Sequence, residues 1–264
     1  MRYVDYHNHT YLCEHATGMP EEYIRRALEL GLAEIGFSDH APLPEGLREG
    51  ITMRPEQIET YIALIEEQRE IYRDRIGIRI GFEVDYPLHD SFPASYLTDN
   101  RLDYLIGSCH FLEDWAFDHP DFQEEFHRRD IDGVYQQYYG ILNGLIQTGH
   151  FQILGHLDLV KKFGHRSLRS FEDEISRLGR ALSGGSLSVE LNTAGLRKPV
   201  GEIYPSPRIL EILFENNVPV TLGSDSHLPE EVGYEFSRAA EILRSCGYRS
   251  ISGYQRKKRY DVPL

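Results

Sequence analysis

Histidine dominates the side chains of this sequence that could do chemistry. His7 and His9 are separated by one residue, as are Asp225 and His227; further histidines stand at 15, 40, 110 and 156, and Glu83 falls among them. Imidazole nitrogens and carboxylate oxygens are the donors that Zn, Fe and Mn share. Side chains two residues apart on an extended segment share a face, so each paired motif can grip one ion. A lone His-x-His is a weak signal. The weight comes from histidines or carboxylates recurring where one apolar run after another ends. Buried polar groups cost free energy unless they are paired or hold a metal, and the pattern therefore predicts a metal centre. His89, His119, His127, His150 and His165 lie outside it and read as ordinary polar residues.

These residues need a scaffold that gathers strand ends. Strand-like runs are expected at Tyr3–Tyr6, Glu34–Ser38, Ile78–Glu83, Tyr104–Ser108, Ile153–Leu157, Leu187–Leu191 and Val218–Gly223. Helical periodicity occupies the gaps: Pro20–Leu30, Pro55–Tyr72, Val134–Gln147, Phe171–Leu182, Pro207–Asn216 and Glu235–Cys246. Pro20 suits a first helical turn and Gly31 a stop. Strands alternating with helices imply parallel pairing with right-handed crossovers. Seven such units predict an α/β fold, a distorted seven-stranded (β/α)7 TIM-like barrel spanning residues 1–264 as a single domain, with the site on the rim of strand C-terminal ends. The stretches Pro87–Asp103 and Glu113–Asp132 read as loops or short helices near that rim, and the tail after Gly247 as an extra strand or a cover.

Composition narrows the partners. Of 264 residues, 42 are acidic and 28 basic, a formal net charge of −14 that argues against a broad nucleic-acid surface. A small anionic substrate stays compatible, because salt screens charges beyond about 8 Å. No run approaches the roughly 20 apolar residues of a membrane helix, and the N-terminus carries no signal pattern; a cytoplasmic protein is expected, without membrane partners. Cys13, Cys109 and Cys246 form no CxxC pair and read as reduced, packed thiols.

Taken in order, His7-x-His9, His15, His40, Glu83, His110, His156 and Asp225-x-His227 resemble the PHP (polymerase and histidinol phosphatase) family, over Tyr3 to about His227. The strings FSDHAPLP, IGSCHFL, GHLDLVKKFG and ELNTAGLRKP resemble its histidinol-phosphate phosphatase branch. The resemblance implies a trinuclear site: His7, His9, Glu83 and Asp225 on one ion, Glu83 bridging to a second shared with His110 and His156, and His15, His40 and His227 on a third. It also implies hydrolysis of L-histidinol phosphate.

The chemistry suits that expectation. Two or three divalent ions (Zn, Fe or Mn) can acidify a shared water from 15.7 toward about 7. Glu83 suits the bridge, having two oxygens where imidazole offers one lone pair, and Asp225 is a candidate to return a proton to the leaving alkoxide. Arg197 and Lys161 follow strand ends and are candidate phosphate-binding cations. Asp5 and Asp158 stand two residues from ligands and are expected to orient histidines; Asp39, Asp85, Asp114 and Asp118 are candidates to face a substrate amine. Competing readings are a PHP phosphoesterase acting on another small phosphate ester or nucleotide, an amidohydrolase-type enzyme, whose usual bridging lysine is absent here, and a noncatalytic metal-stabilised domain.

Overall fold

Apolar runs flanked by turn residues become strands, and amphipathic stretches become the helices between them. The structure, a computed structural model, describes residues 3–264; the side chains of His89 and Ser91 lie outside the described residues. In chain order the elements are β1 (Val4–Asp5), α1 (Pro20–Glu29), β2 (Glu34–Phe37), α2 (Ile58–Ile71), β3 (Gly77–Ile80), β4 (Glu83–Asp85), α3 (Ala94–Leu97), β5 (Ile106–Ser108), β6 (Phe111–Leu112), β7 (Trp115–Ala116), α4 (Ile131–Thr148), β8 (Ile153–Leu154), α5 (Glu172–Leu182), β9 (Ser188–Asn192), α6 (Pro207–Glu215), β10 (Val220–Gly223), α7 (Phe236–Cys246), β11 (Ser250–Gln255) and β12 (Lys258–Pro263). Local chemistry explains several boundaries. Pro20 occupies the first turn of α1, where its missing N–H costs nothing. Asp130 accepts from Gly133 N at 3.1 Å to cap α4, and Gly149 ends that helix in the left-handed conformation.

The chain is an α/β fold with parallel sheets. β1, β2 and β3 pair in that order, and β10, β9, β8, β5 and β4 form a second parallel sheet. Hydrogen bonds join the two sheets along both edges. Tyr6 N donates to Leu222 O at 3.2 Å and His9 N to Ser226 O at 2.9 Å on one side; Glu83 N donates to Asp39 O at 3.0 Å and Ala41 N to Glu83 O at 2.7 Å on the other. The expected third strand is interrupted at Gly81–Phe82: β3 pairs with β2, whereas β4 pairs with β5. Strand burial is nearly continuous, as in sheets covered on both faces, and one hydrophobic cluster runs from Val4 to Tyr254. No helix among the described residues is long and apolar enough to cross a membrane.

The less regular stretches resolve into small elements: α3, the β6–β7 hairpin, and a 3-10 segment at Pro120–Arg128. The tail forms an antiparallel hairpin, β11–β12, seated against the N-terminal ends of the strands. Tyr254 Oη donates to Gln152 O at 2.7 Å, and Asp103 accepts from Arg256 N at 3.0 Å. Beside it Glu34 takes Arg79 through two nitrogens at 2.7 and 3.0 Å, and Tyr6 Oη at 2.5 Å. These contacts seal the end opposite the histidines.

Candidate metal centre

Each histidine is aimed by the segment that carries it. Beyond β1 the chain stays extended, so His7 and His9 share a face while Asn8 points away, its Nδ2 donating to Gly36 O at 2.9 Å and its Oδ1 accepting from Ser226 Oγ at 2.6 Å. Thr10, held by Asp39, caps a 3-10 turn at Tyr11–Cys13, and Glu14 at φ 67° folds the chain back to deliver His15. His40 follows β2, Glu83 opens β4, His110 follows β5 and His156 follows β8. Asp225, at φ 51°, turns the chain after β10 so that its carboxylate and His227 face inward. Arg197 braces this turn by donating Nη2 to Ser224 O at 2.9 Å and Asp225 O at 3.1 Å.

The nine expected donors converge. Glu83 lies at the middle: Oε2 stands 3.2 Å from His7 Nε2, 3.7 Å from His9 Nε2 and 3.1 Å from His40 Nδ1, while Oε1 stands 3.0 Å from His156 Nε2 and 3.5 Å from His110 Nε2. Asp225 Oδ1 is 3.3 Å from His9 Nε2 and 3.8 Å from His7 Nε2. His15 Nε2 and His227 Nε2 are 2.9 Å apart. Every one of these side chains except His15 is largely buried.

Hydrogen bonds at the far ring nitrogens assign the near ones. His7 Nδ1 donates to Glu190 at 2.7 Å, His110 Nδ1 to Asp85 at 2.8 Å, His15 Nδ1 to Cys13 O at 2.8 Å, and His227 Nδ1 to Asp225 O at 3.2 Å. With the proton on Nδ1, each Nε2 presents a lone pair inward. His110 Nε2 sits 3.2 Å from His156 Nε2, which is itself 3.0 Å from Glu83 Oε1. His7 Nε2, both nitrogens of His9 and His40 Nδ1 are buried without a hydrogen-bond partner. Such orphans fit a set of metal ligands, and triads such as His7–His9–Asp225 and His15–His40–His227 have donor atoms all within 4.8 Å of one another. Electrostatics agree. Burial alone would raise Glu83, but His7, His40 and His110 hold it well below the usual carboxylate range; burial would lower His110, but Asp85 and Glu83 lift it to about 10.

Glu190 escaped the sequence reading. Its carboxylate accepts from His7 Nδ1 through Oε1 and from His156 N at 2.9 Å through Oε2, so one buried group aligns two ligands from two strands. Gly223 makes room for it: a Cβ there would meet Glu190 Oε1 at 1.9 Å. The orienting carboxylates are therefore Glu190 and Asp85. Asp5 instead accepts from Ser224 N at 3.0 Å and Gly233 N at 2.9 Å, tying β1 to the segment after β10, and Asp158 pairs with Lys161 at 2.7 Å and Ser206 N at 3.0 Å; neither reaches a histidine ring as expected.

A cavity of about 600 Å³ opens over the cluster, with His15, His40, Glu83, His110, His156, Asp225 and His227 on its floor and Phe111, Asp118, His119, Lys162, Phe163, Lys198 and Tyr204 on its walls. The cavity cations are Lys162 and Lys198. Lys161 is turned away, enclosed by Asp158, Glu202 at 2.6 Å and Ile203 O at 2.9 Å, and Arg197 lies behind the Asp225 turn. Among the carboxylates expected near a substrate amine, Asp118 is on the wall, 3.0 Å from Lys162 Nζ. Asp85 holds His110, Asp39 holds Thr10, and Asp114 is exposed away from the lining.

The comparisons agree with this geometry. Residues 5–194 match the PHP domain model. A Deinococcus radiodurans protein named "Probable histidinol-phosphatase" is 40% identical over 256 residues, covering 96% of this chain and 97% of its own. A Bacillus subtilis "Histidinol-phosphatase" is 30% identical over 262 residues, covering 90% and 98%. The solved structure of histidinol phosphate phosphatase from Lactococcus lactis, complexed with Zn, L-histidinol and phosphate, superposes with a TM-score of 0.81 at 20% identity, over 98% of this chain and 99% of that one. The chain belongs to the PHP domain family.

Proposed function

We propose that the chain is a metal-dependent phosphomonoesterase that hydrolyses L-histidinol phosphate to L-histidinol and phosphate. The observation that carries the reaction class is the convergence of orphaned imidazole nitrogens on Glu83 and Asp225 at the floor of a cavity with lysines on its wall. The names of the Deinococcus, Bacillus and Lactococcus relatives support the substrate. We also read the two sheets as one closed seven-stranded barrel and residues 1–264 as one domain; the hydrogen bonds along both sheet edges and the shared core favour this.

Two or three divalent ions, Zn, Fe or Mn, fit the donors. His7, His9, Glu83 and Asp225 would hold one, Glu83, His110 and His156 a second, and His15, His40 and His227 a third. When bound, they supply an acidified water and stabilise charge on the phosphoryl group. The chain's own residues do the rest. Glu83 presents one oxygen to each half of the cluster, as a bridge requires. Lys162 and Lys198 bring positive charge to the phosphate, and Tyr204, whose hydroxyl has no partner, offers it a donor. Arg197 acts through the Asp225 turn, and Lys161 by keeping Asp158 and Glu202 paired. Asp118 is the carboxylate placed to receive the substrate ammonium.

The test compares kcat/KM of metal-loaded protein on histidinol phosphate, serine phosphate, nucleoside monophosphates and an aryl phosphate. Histidinol phosphate should lead by at least roughly tenfold, about 1.4 kcal/mol of transition-state discrimination. If another ester leads, the substrate assignment falls and the phosphoesterase assignment stands; if none is hydrolysed, both fall.

A further inference from the structure

Cys13 takes no part in the scheme above, yet it is completely buried at the edge of the cluster. Its Sγ, one nitrogen of His9 and one of His227 lie within 4.8 Å of one another. Both nitrogens of His9 are buried, and neither is satisfied by a hydrogen bond to a carboxylate or carbonyl, so the ring is free to turn a lone pair to an ion beside this thiol. The 3-10 turn at Tyr11–Cys13, capped by Thr10, fixes the backbone that carries the sulfur, and the rings of His9 and His227 stack with centroids 4.2 Å apart. Donors about 2.3 and 2.1 Å from one ion stand roughly 3.6 Å apart in a tetrahedral site. The three atoms lie within 4.8 Å of one another, about an ångström beyond that spacing at most.

We propose that Cys13, His9 and His227 form a separate site for a thiophilic ion such as Cd2+, exclusive of the arrangement that the phosphoesterase reading requires. Thiolate prefers soft ions and oxygen donors prefer hard ones. The site borrows His227, whose Nε2 otherwise faces His15, and His9, whose Nε2 otherwise faces Asp225. An ion held at the sulfur therefore strips one ligand from each of two ions in the working centre. On binding, the thiol proton leaves to solvent and the sulfur lone pair forms the bond to the metal. The chain thereby separates ions by softness: Mn2+ settles on the histidine and carboxylate positions, whereas Cd2+ is captured at Cys13 and silences the enzyme.

The full chain loaded with 113Cd2+ should give a cadmium resonance in the downfield region of sulfur ligation, with a near-ultraviolet thiolate-to-cadmium charge-transfer band. Both should vanish in Cys13→Ser, whose Mn2+-to-Cd2+ activity ratio should fall at least roughly tenfold below the wild-type ratio. Absence of the sulfur-ligated resonance in the wild-type chain overturns the proposal without recourse to any variant, as does its persistence in Cys13→Ser or an unchanged activity ratio. The spectroscopic readout does not depend on phosphatase turnover, so a chain that binds Cd2+ through sulfur but hydrolyses nothing would overturn the functional reading and leave this one standing.

Discussion

Glu190 shows how much of the centre depends on residues that touch no substrate. It aligns His7 through its ring nitrogen and His156 through its backbone. Partners behind a ligand are typically worth ten- to a hundredfold in metal affinity. Glu190→Gln, which keeps the shape and removes the charge, should therefore release metal to a chelator about ten to a hundred times more readily, with an unchanged melting temperature. Equal retention would make Glu190 a packing residue. The histidines carry a second expectation. In the metal-free chain, burial works against a proton on His110, but Asp85 and Glu83 hold its pKa at about 10, so at pH 8 the ring is protonated. An ion must expel that proton, and affinity should fall as pH falls. Adding Zn2+ to weakly buffered protein at pH 8 should release at least about one proton per chain loaded, read with an indicator dye; no release would refute the picture of protons holding the metal's place. The donors were legible because polar residues recur where apolar runs stop. Glu190 was not, because it sits inside the run Ser188–Asn192, where a single letter gives no clue that its carboxylate meets two rings. The cavity lysine was off by one for a related reason: Lys161 and Lys162 are adjacent, and the 3-10 turn at Leu159–Lys161 decides which one faces inward.

Strands and turns convert those residues into geometry by letting backbones approach closely. At Gly223 a methyl group would overlap Glu190 and stand 2.8 Å from His7 Cβ. The backbone there is not left-handed, so Gly223→Ala should fold, at an overpacking cost of about 1–3 kcal/mol, and should lose metal out of proportion because the displaced carboxylate no longer holds His7. Denaturant midpoint and metal content measured together check this; full metal content with a lowered midpoint would show that Glu190 tolerates the shift. The helices and most strands were readable from period and punctuation, with ends displaced by a few residues. The interruption at Gly81–Phe82 was not. Tyr61 Oη takes Gly81 O at 3.0 Å, and Tyr104 lies against the open faces of Gly36 and Gly81. Two distant tyrosines thus remove a ladder acceptor and demand space, and regular pairing breaks just before Glu83, which then sits between Asp39–Ala41 on one side and β5 on the other.

At the scale of the molecule, chemistry is confined to one end and closure to the other. The β11–β12 hairpin reaches the strand starts through Tyr254, whose hydroxyl meets Gln152 O and Ser188 Oγ, both at 2.7 Å. Tyr254→Phe should destabilise the fold by about 1–3 kcal/mol, because buried partners are left unmatched, while kcat/KM at moderate temperature stays within about twofold of the wild type. A large loss of turnover at unchanged stability would mean that the two ends communicate. The sequence pointed to a cover in this region but not to its seat, since Asp103, Gln152 and Ser188 are ordinary polar letters until the fold brings them together. The seam between β1 and β10 carries a further consequence. Tyr6 waits for Leu222, and His9 for Ser226, so during synthesis on the ribosome the first strand is made long before its second neighbour. Throughout that interval it holds unmet amides beside a half-built nest of imidazoles, a template for pairing with other chains and a trap for stray metal ions. Such non-local closure is slow, and the nascent polypeptide is expected to need chaperone shelter until its last quarter has emerged.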